Sequence, residues 1–554
     1  MLNQHTMKKI FSYIMLPVLI VLAFYSCSKD LGNYDYSDAN VITITTDMAN
    51  VNPAVVINND SVVVKQNDSL KLNILISQTK PSNDLAYEWM IIQSSSQIGN
   101  PPQYVVGNTS QLRTKITLSP NLYKLVLKVT DKTTGVSFNK FYSLNVDTSP
   151  WGGEGWVILQ DQPADGGCDI SVITTRDGVV QGNIYSNVYS LANNGNKLPA
   201  GTYKVNVINY ATALRIQKVS FFYPNGGLQV RSTDFADSST HDSWFLVTPP
   251  SFNFQLNGQV NGGNYEYQIN NNQLYYRRVN ALTLPTAPIR FGAPVQGTWT
   301  LSPFVMNNTT SESYFTLYDQ ANKSFLVFNT ETNLLSPNIA DIPNKHIATY
   351  AGAAAALNPT TGSGFDLNNI GRNLVYTENS LPLGAGTVYN CIFRNNAGDS
   401  TFLYQVPWAL AYANNFTTGR FYLSNTNLPG INSATMFACP TFLTMPGKFY
   451  YVNGNTIRTC SVANLAASTS AVGYTFPAGT IVKTMKVFKS GYTAVPSTES
   501  KVLVVATDET ASGGGHKVYF FNITATGDIN NTPANVYTGF DKIIDIAFKK
   551  GLGF

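Results

Sequence analysis

Val502-Leu503-Val504-Val505-Ala506-Thr507-Asp508, followed after a short gap by Lys517-Val518-Tyr519-Phe520-Phe521-Asn522, is the stretch that decides the fold class. Each run is apolar and rich in β-branched or aromatic residues. Each is also too short for a buried helix and ends on a turn former, so both read as strands. The intervening Gly513-Gly514-Gly515 supplies turn residues, and no helical pattern follows that would make it a phosphate cradle. The pair therefore reads as a hairpin.

The same scheme recurs upstream. Tyr314–Tyr318 goes with Phe325–Asn329, Thr387–Phe393 with Thr401–Gln405, and Phe449–Val452 with Thr456–Val462, while Trp156–Gln160, Trp244–Thr248 and Gln273–Val279 read as further strands. Hairpins spaced at roughly 50–70 residues suit propeller blades of four strands with long loops. Residues 150–554 are expected to form a β-propeller of about 6–8 blades. Its last strand, Ile543–Lys549, would complete a blade begun near Trp156 and so close the ring. The alternative is a large array of β-sandwiches.

Working back toward the N-terminus, Leu70, Leu72, Ile74 and Ile76 alternate with polar neighbours, as do Tyr123, Leu125, Leu127 and Val129. A period of two turns one apolar face of each strand inward. Between them Tyr87-Glu88-Trp89-Met90-Ile91-Ile92 carries a tryptophan large enough to centre a small core. Residues 41–147 thus have the length and pattern of one immunoglobulin-like sandwich. The chain as a whole is expected to be all-β.

Ahead of that sandwich, Lys8 and Lys9 lead into an apolar run from Ile10 to Tyr25, then Ser26 and Cys27. A basic patch, an apolar segment and a small-residue cut site are the order of a signal peptide, with Met7 as the natural start. The run is shorter than the roughly 20 residues of a spanning helix. A cysteine at the cut can accept a diacylglycerol, so residues 1–26 read as a lipoprotein signal and Cys27 as the lipidation site, although Phe24 stands where Leu is usual. Acyl chains add about 0.8 kcal/mol of membrane affinity per buried CH₂, enough for a multiply acylated cysteine to hold the chain on a membrane. Residues 27–40 are polar, without apolar periodicity, and suit a tether.

Composition agrees with an exported β protein. Charged residues make up 12% of the 554, and the net charge of +4 falls by two once Lys8 and Lys9 leave with the signal. That is no electrostatic footprint for nucleic acid. Cys168, Cys391, Cys439 and Cys460 are widely spaced, with no zinc or redox pattern. A pairing such as Cys439 with Cys460 and four buried free thiols both remain open.

The stretch Tyr87-Glu88-Trp89, followed by Leu122-Tyr123-Lys124-Leu125-Val126-Leu127-Lys128-Val129-Thr130-Asp131, resembles a polycystic-kidney-disease (PKD) type domain, though without the usual Gly-Asp-Gly after the tryptophan. With Cys27, Asp30-Leu31-Gly32-Asn33-Tyr34-Asp35-Tyr36, Gly155-Trp156-Val157-Ile158-Leu159 and Lys197-Leu198-Pro199, the first 200 residues resemble the PKD-like family lipoproteins of Bacteroidota. That resemblance implies a lipoprotein of the outer membrane, exposed at the cell surface and commonly encoded beside a SusC/SusD-type uptake pair, which would be its partners.

Chemistry-bearing motifs are scarce. His241, His346 and His516 are isolated, and no H-E-x-x-H, G-x-S-x-G or P-loop context occurs. Asp165, Asp169, Asp177 and Asp528 read as turn formers, with no calcium loop. No metal, cofactor or catalytic residue is expected. Three Asp-Ser triplets, beginning at Asp60, Asp68 and Asp399, resemble the O-glycosylation sequon of Bacteroidota, with chance the plainer reading. Binding is the function left standing. Aromatic residues are 12% of the chain and Asn is abundant, which suits glycan recognition. Trp151, Trp299 and Trp408 are the candidate ligand-binding residues, with Trp156 beside them, although tryptophans in a propeller more often pack between blades. The expected function is a non-enzymatic surface lipoprotein that binds a polymeric nutrient, glycan or peptide. The alternatives are a propeller hydrolase or lyase with a dispersed acidic site, and a structural or adhesive protein.

Overall fold

A computed structural model describes residues 40–551, apart from 51–55, 59, 82–83, 94–102, 211–215, 261–264, 279–289, 308–313, 330–346, 350–364, 366–368, 382–386, 408–418, 442–446, 463–467 and 491–497. The expectations placed on residues 1–26, on Cys27 and most of the tether, on His346 and on Trp408 lie outside the described residues. Strand dominates, and no described helix is long and apolar enough to cross a membrane.

The chain divides into two compact units. One holds residues up to 144 except 63–69 and 115–121, and the other holds those two segments with 145–554. In the first, a six-stranded sheet runs in the order Val56–Asn58, Ser61–Lys65, Ser137–Asp147, Asn121–Asp131, Leu85–Gln93, Gln103–Gly107, and a three-stranded sheet in the order Ile42–Thr46, Ser69–Gln78, Gln111–Lys115. Leu70, Leu72, Ile74, Tyr123, Leu125, Leu127 and Val129 are buried, as their alternation requires. Trp89 is fully buried, stacks on Tyr142 at 6.2 Å and donates from its indole nitrogen to the Thr109 carbonyl at 2.8 Å.

The second unit contains seven antiparallel sheets among the described residues. Sheet 1 joins Lys542–Lys549 to Gly155–Gln162, Gly167–Arg176 and Val180–Tyr185. Sheet 2 is Lys204–Tyr210, Ile216–Tyr223, Gly226–Arg231 and Asp237–Thr240, and sheet 3 is Phe254–Val260, Tyr265–Asn270 and Gln273–Arg278. Sheet 4 is Tyr314–Asp319, Ser324–Asn329 and Ile347–Thr349, and sheet 5 is Asn373–Asn379, Val388–Arg394, Thr401–Pro407 and Arg420–Leu423. Sheet 6 is Phe437–Ala438, Lys448–Asn453, Thr456–Val462 and Ser468–Thr475, and sheet 7 is Ile481–Val487, Val502–Asp508, His516–Asn522 and Asn535–Phe540.

Seven apolar clusters show how these sheets stand. Leu159, Cys168, Val219 and Phe221 pack between sheets 1 and 2. Phe222, Trp244, Phe254 and Tyr275 join sheets 2 and 3, and Tyr267, Leu274, Phe315 and Phe328 join sheets 3 and 4. Tyr318, Phe325, Phe393 and Tyr404 join sheets 4 and 5, then Ile392, Leu423, Phe449 and Cys460 join sheets 5 and 6. Tyr450, Ile457, Val505 and Phe521 join sheets 6 and 7. The seventh cluster sets Trp156, Ile158 and Ile546 of sheet 1 against Val504 and Phe520 of sheet 7. Each sheet therefore packs against the next and the last against the first, which makes the unit a seven-bladed propeller. Ile543–Lys549 does complete the blade that Trp156 opens, with Val157 opposite Ala547 and Trp156 opposite Phe548.

Burial on both faces explains the continuous apolar runs. Val502, Leu503, Val504, Val505 and Ala506 are all buried because that strand is sandwiched between sheets on either side. One expectation fails. Trp244–Thr248 is not a strand, because a single 3₁₀ turn, His241–Ser243, carries the chain round. Trp244 fills the cluster between sheets 2 and 3, while Leu246 and Val247 face solvent. The four cysteines are buried free thiols, and burial pushes Cys391 up to about 12.

Candidate functional site

The first strands of neighbouring sheets lean on one another: Lys204–Tyr210 touches both Lys542–Lys549 and Phe254–Val260, and Ile481–Val487 touches Lys542–Lys549. They form the inner wall of the ring, and the charges of the wall are tied together there. Asp545 of sheet 1 accepts from Lys486 of sheet 7 at 3.2 Å, from the Val205 amide of sheet 2 at 3.2 Å, and from the Ile546 amide at 2.8 Å. Lys486 also donates to the Ile546 carbonyl. Lys204 donates to the Gln255 carbonyl of sheet 3 at 2.5 Å. Its burial pushes the ammonium down to about 8, partly offset by Asp545 and reinforced by Lys486. Lys204, Lys486 and Asp545 are half-buried.

A second node lies on sheets 5 to 7. Glu378 accepts from Lys489 at 2.8 Å, from the Cys439 amide at 2.6 Å and from the Tyr376 hydroxyl at 2.8 Å. Burial, aided by Glu378, holds the Tyr376 hydroxyl well above its ordinary range. Each carboxylate thus accepts three bonds from the chain's own donors.

Beside the first node, the faces of sheets 2 and 3 meet in layers that follow from strand register. Phe222, Gly227 and Phe254 make an apolar end. Next comes a layer of Asn206, Ser220 and Gln229 against Asn257 and Gln268, and beyond it lie Lys218, Glu266 and Arg277. Asn206 donates to the Asn257 side chain and carbonyl, both at 2.5 Å. Asn257 donates to Ser220 at 2.8 Å, and Gln229 to Ser220 at 3.2 Å and to Glu266 at 3.3 Å. Arg277 clasps Glu266 at 2.6 and 2.8 Å with both side chains almost wholly buried. Gln268, opposite Asn257, is fully buried with neither carboxamide atom bonded to the described chain.

The sequence pointed elsewhere. Trp151 is buried between sheets 1 and 2, edge-on to Tyr185 at 6.0 Å, and Trp156 lies in the cluster between sheets 7 and 1. Trp299 is half-buried against the cluster of sheets 3 and 4. His241 sits beside Tyr223 and Phe252, and His516 beside Asp508 at 3.7 Å. Asp169 caps the short helix Val188–Ala192, accepting the Tyr189 amide at 3.0 Å, and Asp165 pairs with Lys197. Among the described residues no cluster of His, Cys, Asp or Glu could hold a metal ion. The signal that marks the wall is lysine as the one kind of charge in a strand, as at Lys204 and at Lys483 with Lys486.

Residues 27–200 match the PKD-like family. That match runs past the sandwich unit and through Gly155–Gln162, Gly167–Arg176 and Val180–Tyr185 of sheet 1. Among solved structures, the chain is similar to a quinonprotein alcohol dehydrogenase-like protein from Bacteroides thetaiotaomicron, at 11% identity over 87% of this chain and 96% of that one, with a TM-score of 0.40. It is also similar to Hsv2 of Kluyvelomyces marxianus, at 9% identity over 63% and 82%, with a TM-score of 0.28. No curated protein matches the chain. Likenesses this distant say nothing of what the chain binds.

Proposed function

We propose that the protein is a non-enzymatic lipoprotein, anchored through Cys27 in the outer membrane at the cell surface, whose propeller binds a polymeric nutrient for a SusC/SusD-type uptake system. The observation that carries the binding reading is the state of the inner wall. Asp545 and Glu378 are each already bonded to a lysine and to backbone amides. Carboxylates held this way brace the wall itself, whereas acid–base hydrolysis needs a convergent pair turned toward the substrate. What the wall offers instead is lysine ammonium groups and the amides of Asn and Gln, which are ligand-holding groups. The signal sequence and the cysteine at its cut support the anchor.

The test has two arms. The full-length protein is screened against glycan and peptide panels, where saturable binding of one class supports the reading and silence throughout overturns it. Fractionation of cells expressing Cys27→Ser reads the anchor: release into the soluble fraction is expected, and retention in membranes contradicts it.

A further inference from the structure

The inner wall is unevenly charged. Its described first strands carry Lys204, Lys483, Lys486, Lys542 and Lys549 against Asp319, Glu378 and Asp545. Asp319, engaged by the Thr300 and Ala321 amides at 2.9 Å, and Lys549, which donates to the Gly153 carbonyl, are both buried, which removes them from the wall's face. At the junction of sheets 7, 1 and 2, Lys486 pairs with Asp545 at 3.2 Å, and Lys204, bonded to the Gln255 carbonyl, lies within the field of both. Next to that cationic corner stands the amide layer of sheets 2 and 3, with Gln268 inside it fully buried and unbonded. Buried amides are almost always hydrogen-bonded, so Gln268 holds donor and acceptor capacity that the chain does not fill, and Asn206 is the member of the layer that is only half-buried.

We infer that the corner formed by Lys204 and Lys486, flanked by Asn206 and Asn257, binds an acidic sugar, a uronate unit of a glycan. The inference rests on the binding reading above and names its ligand class. A carboxylate is the group that two ammoniums beside one aspartate attract, and sugar hydroxyls are the groups that carboxamides pair with. An acidic peptide offers the charge without the row of hydroxyls, so the amide layer favours the sugar.

Lys204 also gives the site a pH signature. The charged groups that face it are Asp545 of sheet 1 and Lys486 of sheet 7. The Phe254–Val260 strand packed beside it brings only uncharged side chains, Lys218 lies two rows away on the adjoining strand, and Asp161 is paired with Lys542. With its ammonium pushed down to about 8, Lys204 is cationic below that pH and loses its charge above it. Affinity for an anion should therefore fall as pH rises through 8.

Titration calorimetry on the full-length protein with a short oligogalacturonate, its methyl-esterified form and a poly-glutamate peptide tests the assignment. The expected result is that the oligogalacturonate binds, weakening with salt and between pH 7 and 9, and that Lys204→Met and Lys486→Gln each lower its affinity by about tenfold. Lys486 is 39% exposed, so Lys486→Gln stays folded even where Lys204→Met does not, and a thermal melt checks both. Equal binding of the esterified form, unchanged affinity in Lys486→Gln, or tighter binding of poly-glutamate overturns the inference. A neutral glycan bound by the protein would overturn it while leaving the binding reading intact, whereas silence toward every glycan and peptide would fell that reading too.

Discussion

Two joints of the same ring are built from opposite chemistry. Between sheets 7 and 1 the contact behind the Lys486–Asp545 pair of the inner wall is dry, with Trp156 edge-on to Phe520 at 6.5 Å and Ile158, Val504, Ile543 and Ile546 filling the rest. Between sheets 2 and 3 the apolar cluster shrinks to one end, and amides and a buried ion pair take the remaining space. A dry joint can be stable with no directional demands, since stabilisation scales with the apolar area removed from water. The polar joint gains little net stability, because every bond in it replaces one to water. Its residues are therefore the ones that a structural role explains least, and they stand beside the lysines of the inner wall.

The comparison can be broken first at the closure. Deleting residues 542–554 removes the strand that occupies the inner edge of sheet 1, and the second unit should lose cooperative unfolding by calorimetry. A sharp two-state transition in the deletion would mean that the last strand is ornamental. Trp156→Ala leaves a large cavity in the dry joint and should cost about 3–5 kcal/mol in denaturant titration.

At the polar joint, Arg277→Met strands the Glu266 carboxylate in the interior and should cost about 3 kcal/mol or more, while Glu266→Gln with Arg277→Met should recover most of that loss. A double variant as unstable as the single one would show that the pair itself supports the ring. Gln268→Met removes a carboxamide with no partner in the chain, and stability should hold or rise by about 1 kcal/mol.

Charge burial adds a smaller, pH-dependent effect. Lys549 is fully buried, donates to the Gly153 carbonyl, and is pushed down to about 7 by burial, with Glu154 and Asp234 opposing that shift. A lysine held below its ordinary value destabilises the fold while it is protonated. That penalty is fully present below pH 7 and is relieved as pH rises from 7 toward the unfolded value. Lys549→Met should thus raise the melting temperature more at pH 6 than at pH 9, and an equal gain at both would contradict the shift.

The sequence showed the hairpins because the middle strands of each sheet are buried on both faces and read as unbroken apolar runs, as at Val502–Asp508 and Lys448–Asn453. The first strands escaped it. Phe254–Val260 has a register break between Phe254 and Leu256, so buried positions recur every third residue and no alternation survives. Lys204–Tyr210 mixes lysine and asparagine into a strand whose partners come from three sheets. Trp244 misled in the other direction, since an aromatic run with β propensity proved to be a turn that plugs a joint. The polar layer of sheets 2 and 3 could not have been read at all. It exists only once the registers of two strands place Asn206 against Asn257, 51 residues away, an encounter that composition does not encode.

Hydrogen exchange followed peptide by peptide across the native full-length protein tests the central contrast most directly. Protection should be greatest in Gly155–Gln162 and Lys542–Lys549, at the level of global unfolding, with Lys204–Tyr210 and Phe254–Val260 exchanging at least about tenfold faster through local opening of the polar joint. Faster exchange in the closing strand than at sheets 2 and 3 would contradict it.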